Sequence, residues 1–174
     1  MKLSRLALGA YALALVVIIA DQITKAMVLS AMPAEPSPLL DGFRIADVLP
    51  PVFNLTFVLN TGVSFGMFGG GEARWILSIF SIGMAVALSV WAYRANRCLL
   101  AAAIGLVIGG AIGNVIDRVR FGGVVDFLDF SGTGLFPWIF NIADSGITIG
   151  IALLILDSFL SERRSKVGVA VEKS

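Results

Sequence analysis

The sequence predicts an α-helical integral membrane protein with four transmembrane helices, both termini on the cytoplasmic side, and a small outer β-sheet and loop segment. Three observations carry that prediction. Of the 174 residues, 57% are hydrophobic and 14% charged, whereas a soluble domain is about 45–50% apolar and about 25% charged; mean hydropathy is +0.92. Four apolar runs are long enough to cross a bilayer, which takes about 20 residues each. Lysine and arginine gather on one side of those runs. A chain of this size makes one membrane domain, residues 1–174.

The first span is expected over Leu6–Leu29. Lys2 and Arg5 precede it in the manner of a signal peptide, but no small-residue cleavage site follows cleanly, so it reads as an uncleaved span. Pro33, Pro36 and Pro38 then break the helix and open an outer segment, 30–73. Within it Phe53, Leu55, Phe57 and Leu59 alternate with Asn54, Thr56 and Asn60, the period of a strand with one apolar face. Gly62, Gly66, Gly69, Gly70 and Gly71 predict a mobile tip that could close over a bound peptide. The second span is expected over Trp75–Tyr93 and the third over Leu99–Ile116. A second outer connection, 118–137, leads to the fourth span over Trp138–Leu160. The sequence shows no internal repeat and no low-complexity tract.

Orientation follows the positive-inside rule. Lys2, Arg5, Arg94, Arg97, Arg163, Arg164, Lys166 and Lys173, eight of the thirteen basic residues, fall on one side. With that side cytoplasmic, Asp21, Asn60, Asn114, Asp117, Asp126 and Asp144 all lie toward the outer leaflet. An ionisable side chain at membrane depth costs about 2.5–3.5 kcal/mol on insertion scales and marks function by default.

Composition removes several chemistries. The chain has no histidine and one cysteine, which excludes His-based triads, an intrachain disulfide and a Cys-built zinc site. No metal and no cofactor is expected. A net charge of +1 makes nucleic acid an unsuitable partner. Cys98 reads as a small structural hydrophobe.

Each polar motif has a plain structural reading beside the functional one. Gly105, Gly109 and Gly113 repeat every four residues, a spacing that lets helices approach closely. Gly110, Asn114 and Asp117 share a helix face, and Asn114–Arg118 could simply be a helix end with an interfacial ion pair. Asn141 could be the N-cap of the fourth span, with Asp144 an acid in its first turn. Asp126 follows the turn at Gly122–Gly123 and could be a solvated loop acid, a reading that fits Asp129 better because Ser131 and Gly132 follow. Asp21 and Lys25 stand four apart, a stabilising helix pair.

Taken in order, these blocks resemble the bacterial signal peptidase II family: Asp21-Gln22-x-Thr24-Lys25, Asn60-Thr61-Gly62-Val63-Ser64-Phe65, Gly109-Gly110-Ala111-x-Gly113-Asn114-x-x-Asp117-Arg118, Val124-Val125-Asp126-Phe127 and Phe140-Asn141-x-Ala143-Asp144. The resemblance covers nearly the whole chain. It implies an aspartyl endopeptidase of the bacterial inner membrane, with its active site at the periplasmic face. Asp126 and Asp144 map onto the catalytic dyad. Asn60, Asn114, Arg118 and Asn141 map onto polar residues around the bound peptide and lipid. Asp21, with Lys25 and Asp117, maps onto structural support. The implied substrate is a prolipoprotein whose cysteine already carries diacylglycerol, cut on the N-terminal side of that cysteine. The expected partners are that substrate and membrane lipid, and the chain is expected to be a monomer.

The residues themselves suit that chemistry. Water is the available nucleophile, one carboxyl accepts its proton and the other donates to the scissile carbonyl. Two rival classes remain at this level. A small proton-coupled transporter or channel subunit also uses intramembrane acids and glycine-rich helices, but the inner halves of the second and third spans carry no ionisable residue. A non-catalytic lipid-binding scaffold is the other; cleavage of a lipidated peptide separates it from an enzyme.

Overall fold

The structure, a computed structural model, describes residues 4–33, 42–62, 72–134 and 136–172, with side chains described as far as residue 162. The first helix, α1, runs Arg5–Ser30 and starts where Ser4 caps it, its hydroxyl accepting from the Ala7 amide at 3.0 Å. Its buried residues are Ala7, Ala10, Ala14, Val17, Asp21, Lys25 and Val28. They step by threes and fours, which keeps them on one stripe. The stripe is small and apolar along most of its length and turns charged at Asp21 and Lys25, toward the C-terminal end of the helix. Two strands follow, β1 (Phe43–Leu49) and β2 (Phe53–Asn60), and then α2 (Glu72–Ala92) and α3 (Cys98–Phe121). After α3 come β3 (Val124–Asp129), a single 3-10 turn at Ser131–Thr133, β4 (Ile139–Phe140) and α4 (Ile142–Glu172). Among the described residues four helices, the fourth over Ile142–Glu162, are long and apolar enough to cross a membrane.

The third helix is the centre of the bundle. Of its apolar window 72% is buried, against 22–28% for the other three. Glycine is the reason. A Cβ at Gly105 would come within 2.5 Å of the Ala10 carbonyl oxygen, and one at Gly109 within 2.7 Å of that of Ala14, so α3 lies directly against the backbone of α1. On its other side Gly110 meets the Ala143 carbonyl of α4, and Gly150 of α4 fits over Ala103 of α3. This is the close approach that the four-residue glycine spacing predicts. Between helices the core is alanine, leucine, isoleucine and valine, including Ala10, Ala14, Leu88, Ile104 and Ile108. Large apolar side chains such as Leu15, Ile79, Phe80 and Phe159 point outward, as a lipid-facing surface requires.

The strands form one antiparallel sheet in the order β1-β2-β3-β4. Val58 of β2 stands opposite Asp126 of β3, and Leu128 of β3 opposite Phe140 of β4. Val125 and Phe127 pack with Val28 of α1 into a second apolar cluster, joined by Ile45, Leu55, Phe57, Leu59 and Ile142. The sheet therefore sits on the ends of α1 and α4.

Several sequence-based boundaries change. The third span continues to Phe121 instead of Ile116, since Asp117 finds its partners on α1 and β3. Gly122, at φ +78° with its amide bonded to the Arg118 carbonyl, ends it. The fourth helix begins at Ile142 instead of Trp138, because Ile139–Phe140 is taken by the sheet. The expected strand is found as β2, but its polar residues Asn54 and Thr56 are the buried ones, while Phe53, Leu55 and Phe57 are half-buried. Cys98 is exposed, so it does not pack as a buried hydrophobe. The unusual polar residues do not all gather at one end: Asp157, buried in α4, pairs with Arg97 at 2.8 Å at the opposite end of the bundle. Pro36, Pro38 and the glycine tip from Gly66 to Gly71 lie outside the described residues.

Candidate active site

Beneath the sheet two acid-containing clusters lie side by side. The first is ionic. Lys25 is buried, and its ammonium contacts Asp21 Oδ2 at 2.8 Å and Asp117 Oδ2 at 2.7 Å. The remaining lone pairs are also used. Asp21 Oδ1 accepts from the Ala143 amide at 2.9 Å, and Asp117 Oδ2 from the Val125 amide at 3.0 Å. Gln22 Nε2 donates to Asp21 Oδ2 at 3.1 Å and to Asp117 Oδ1 at 3.0 Å. All four carboxylate oxygens are thus satisfied, which is what makes burial of such charges tolerable. The cluster ties α1 to α3, to the start of β3 and to the first turn of α4. The Asp21–Lys25 helix pair exists as expected, but Asp117 belongs to it too, so Asn114–Arg118 is not merely a helix end with an interfacial pair.

The second cluster is built from amides. Asp126, buried on β3, accepts from Asn141 Nδ2 at 2.6 Å on one oxygen and from Asn60 Nδ2 at 3.0 Å on the other. Asp144, in the first turn of α4, accepts from Asn114 Nδ2 at 2.7 Å. Asn141 carries both readings that the sequence allows. Its Oδ1 caps α4 by accepting from the Asp144 amide at 2.9 Å, while its Nδ2 holds Asp126. Asn60 is set in the same way, its Oδ1 accepting from the Gly62 amide at 2.9 Å. Arg118 is half-buried on α3, with its charge felt by Asp144, Asp126 and Asp117. Asp126 is therefore not a solvated loop acid, and the two acids named from the sequence share one network.

Electrostatics separates two acids of the same strand. The Asp126 carboxyl is pushed up to about 7, first by burial and then by the charge of Asp144, against hydrogen bonds from Asn60 and Asn141 and the charge of Lys25. For Asp129 burial acts in the same direction, but it is outweighed by hydrogen bonds from Ser131 and Thr56 and the charge of Arg44, and the carboxyl lies below its ordinary value. Asp129 is buried and accepts from Thr56 Oγ1 at 2.6 Å and from Ser131 Oγ at 2.6 Å. That corrects its reading as a solvated acid: Ser131, taken as the sign of a polar loop, is its ligand.

A cavity of about 310 Å³ opens beside Asp144, lined by Phe136, Trp138, Phe140, Ser145, Thr148 and Ile149. Phe140 stacks on Phe130 at 5.6 Å between ring centres, and Phe130 on Phe53 at 4.9 Å, so the aromatic wall is anchored to the sheet. Among the described residues no three His, Cys, Asp or Glu side chains stand together as a metal-binding set. Sequence reasoning named Gln22 and Gly110 but not their roles: Gln22 bridges to Asp117 far along the chain, and Gly110 lies against the Ala143 carbonyl of α4.

Fold and site together define a multi-pass membrane protein with a carboxyl pair sheltered under a surface sheet. Residues 13–160 match the family described as signal peptidase (SPase) II. The chain is 52% identical over 155 residues to the lipoprotein signal peptidase of Caulobacter vibrioides, covering 88% of each. It is 43% identical over 159 residues to that of Shewanella loihica, again 88% of each. A solved bacterial membrane enzyme superposes with a TM-score of 0.73 at 34% identity over 91% of each chain. The chain belongs to the signal peptidase II family, aspartic proteases that remove the signal peptide from prolipoproteins. Nothing in these similarities supports a transporter or channel subunit.

Proposed function

We propose that Asp126 and Asp144 are the catalytic pair that cuts a diacylglyceryl-prolipoprotein on the N-terminal side of its lipid-modified cysteine. The observation that carries the reading is the bridged arrangement: Asn141 holds Asp126 with its amide and Asp144's backbone with its oxygen, while burial first and then Asp144's charge push the Asp126 carboxyl up to about 7. Two nearby carboxyls resist ionising together, so the pair is poised with one proton. Asp144 takes a proton from water, the hydroxide adds to the scissile carbonyl carbon, and Asp126 protonates the carbonyl oxygen. Collapse of the tetrahedral intermediate then returns a proton to the leaving amine. Asn60, Asn114 and Asn141 hold the carboxyls, and Arg118 supplies positive charge beside them.

The aromatic cavity beside Asp144 suits an acyl chain entering from the lipid, with the lipid-exposed Trp138 at its edge. Each buried CH₂ contributes about 0.8 kcal/mol, so lipidation supplies much of the substrate's anchoring. We place the chain in the bacterial inner membrane, as its family membership suggests, and orient it with termini cytoplasmic and the dyad at the periplasmic face on the distribution of Lys and Arg; it is read as a monomer. The test is cleavage of a synthetic diacylglyceryl-Cys peptide by purified protein in detergent. Wild type should cut it well and the unlipidated peptide poorly, and Asp126→Asn and Asp144→Asn should be inert though folded. Normal turnover by either variant would remove the dyad.

A further inference from the structure

Three asparagines donate to the two carboxyls, and each has its oxygen anchored. For Asn60 and Asn141 the anchor is a backbone amide two or three residues away, Gly62 at 2.9 Å and Asp144 at 2.9 Å. Any chain with those local turns would present Nδ2 to Asp126. Asn114 has no such local anchor among the described residues. Its Oδ1 accepts from Lys25 Nζ at 3.3 Å, from another helix, and more distantly from Asn141 Nδ2 at 3.4 Å. An ammonium has donors only. Facing Lys25, the Asn114 carboxamide must turn its oxygen toward α1, and its Nδ2 then falls on Asp144 Oδ1 at 2.7 Å. Flipped, it would set an NH₂ against the ammonium and an oxygen against the carboxyl, losing both bonds.

We propose that Lys25 is a positioning residue for the reaction: it fixes the orientation of the Asn114 amide and through it the place of Asp144. This rests on the catalytic reading above and extends it to a residue that touches neither carboxyl of the dyad. Lys25 has three donors, and the structure uses all of them: two neutralise Asp21 and Asp117 and the third orients Asn114. The ionic cluster is thereby coupled to the dyad as well as holding the helices together.

The test separates the two duties. Lys25→Met alone strands two buried carboxylates and unfolds the site, so the informative variant is Asp21→Asn/Lys25→Met/Asp117→Asn. It neutralises the cluster and keeps acceptors for the Ala143 and Val125 amides. With a diacylglyceryl-Cys peptide as substrate, the folded triple variant should lose roughly tenfold to a hundredfold in kcat with KM nearly unchanged, the scale of misplaced catalytic groups. Adding Asn114→Ala should then cost little more, whereas Asn114→Ala alone should cost about as much as the triple change, a non-additive cycle. Wild-type kcat in the folded triple variant, or losses that simply multiply, would overturn the proposal.

Should the neutral cluster not fold, Lys25→Arg gives the second reading. Its guanidinium also has donors only, so kcat should stay within about threefold; a folded Lys25→Arg protein tenfold slower at unchanged KM also overturns the proposal. If wild type does not cut the peptide, or the Asp→Asn variants do, the catalytic reading falls. If those controls behave and only the cycle fails, the role of Lys25 alone falls.

Discussion

The ionic cluster and the amide cluster are made from the same residue type, two aspartates each, of which Asp21, Asp117 and Asp126 are buried and Asp144 is half-buried. They differ in what faces the carboxyls. Asp21 and Asp117 meet a charge, and every one of their oxygens is occupied. Asp126 and Asp144 accept hydrogen bonds from neutral amides, which hold them in place, and no cation contacts them directly among the described residues. A lysine neutralises the carboxylates it contacts, whereas an amide fixes a carboxyl's position without supplying charge. The two pairs of acids are thus told apart by their partners.

The strongest way to break that contrast is to remove the reactive carboxyls. Asp144→Asn should lower kcat by at least about 10³-fold, within the range that acid–base groups contribute, while far-UV circular dichroism and melting temperature stay near wild type. Inactivity accompanied by unfolding would make Asp144 a structural acid. Asp21→Ala should do the reverse. It takes a partner from a buried lysine and the acceptor from the Ala143 amide, and breaking a buried pair costs about 3–5 kcal/mol. Thermal melts should fall sharply, while activity per folded molecule holds within a few-fold. A stable, inert Asp21→Ala protein would move Asp21 into the reaction.

A smaller effect is expected between the clusters. Gly110→Ala drives a Cβ into the Ala143 carbonyl, and overpacking of this kind costs about 1–3 kcal/mol. It should lift the first turn of α4 and lower activity more than the melt alone explains. The finest distinction is in pH. The proton shared by the dyad leaves as pH rises through about 7, so kcat/KM should fall along that limb. Asn60 donates to Asp126 and lowers its pKa; Asn60→Ala removes that bond and should shift the falling limb to higher pH. A shift to lower pH, measured across about pH 5 to 9 on the lipidated peptide, would contradict the assignment of the proton to Asp126.

Much of the fold was legible because membrane spans announce themselves by length and composition. All four helices, strand β2 and the two acids proposed as the dyad were readable from hydropathy, alternation and the presence of charge in apolar surroundings. Boundaries failed where a partner distant in sequence decides them. Asp117 looks like the end of a helix until Lys25 compensates it, and the Trp138–Phe140 stretch looks like helix until β3 takes Ile139 and Phe140 as a strand. Strand β1 carries Arg44 and Asp47 among its apolar residues, with register shifts on both sides of its middle, so its alternation is broken. Asp129 was misread for a related reason: Thr56, one of its ligands, comes from the neighbouring strand. Local pattern records the cost of burying a group; only tertiary structure records what offsets it.

Asn141 joins two of these themes. One carboxamide both starts α4 and holds Asp126. A ribosome delivers the chain from the N-terminus at about 5–20 residues per second, so β3 and Asp126 emerge while α4 is still unmade. Until that last helix is threaded into the bilayer, Asp126 lacks the ligand from Asn141, the neighbouring charge of Asp144 and the aromatic wall beside it. With Asp126 and Asp144 as the proposed pair, hydrolysis requires α4 in place, so competence should arrive only with the fourth helix.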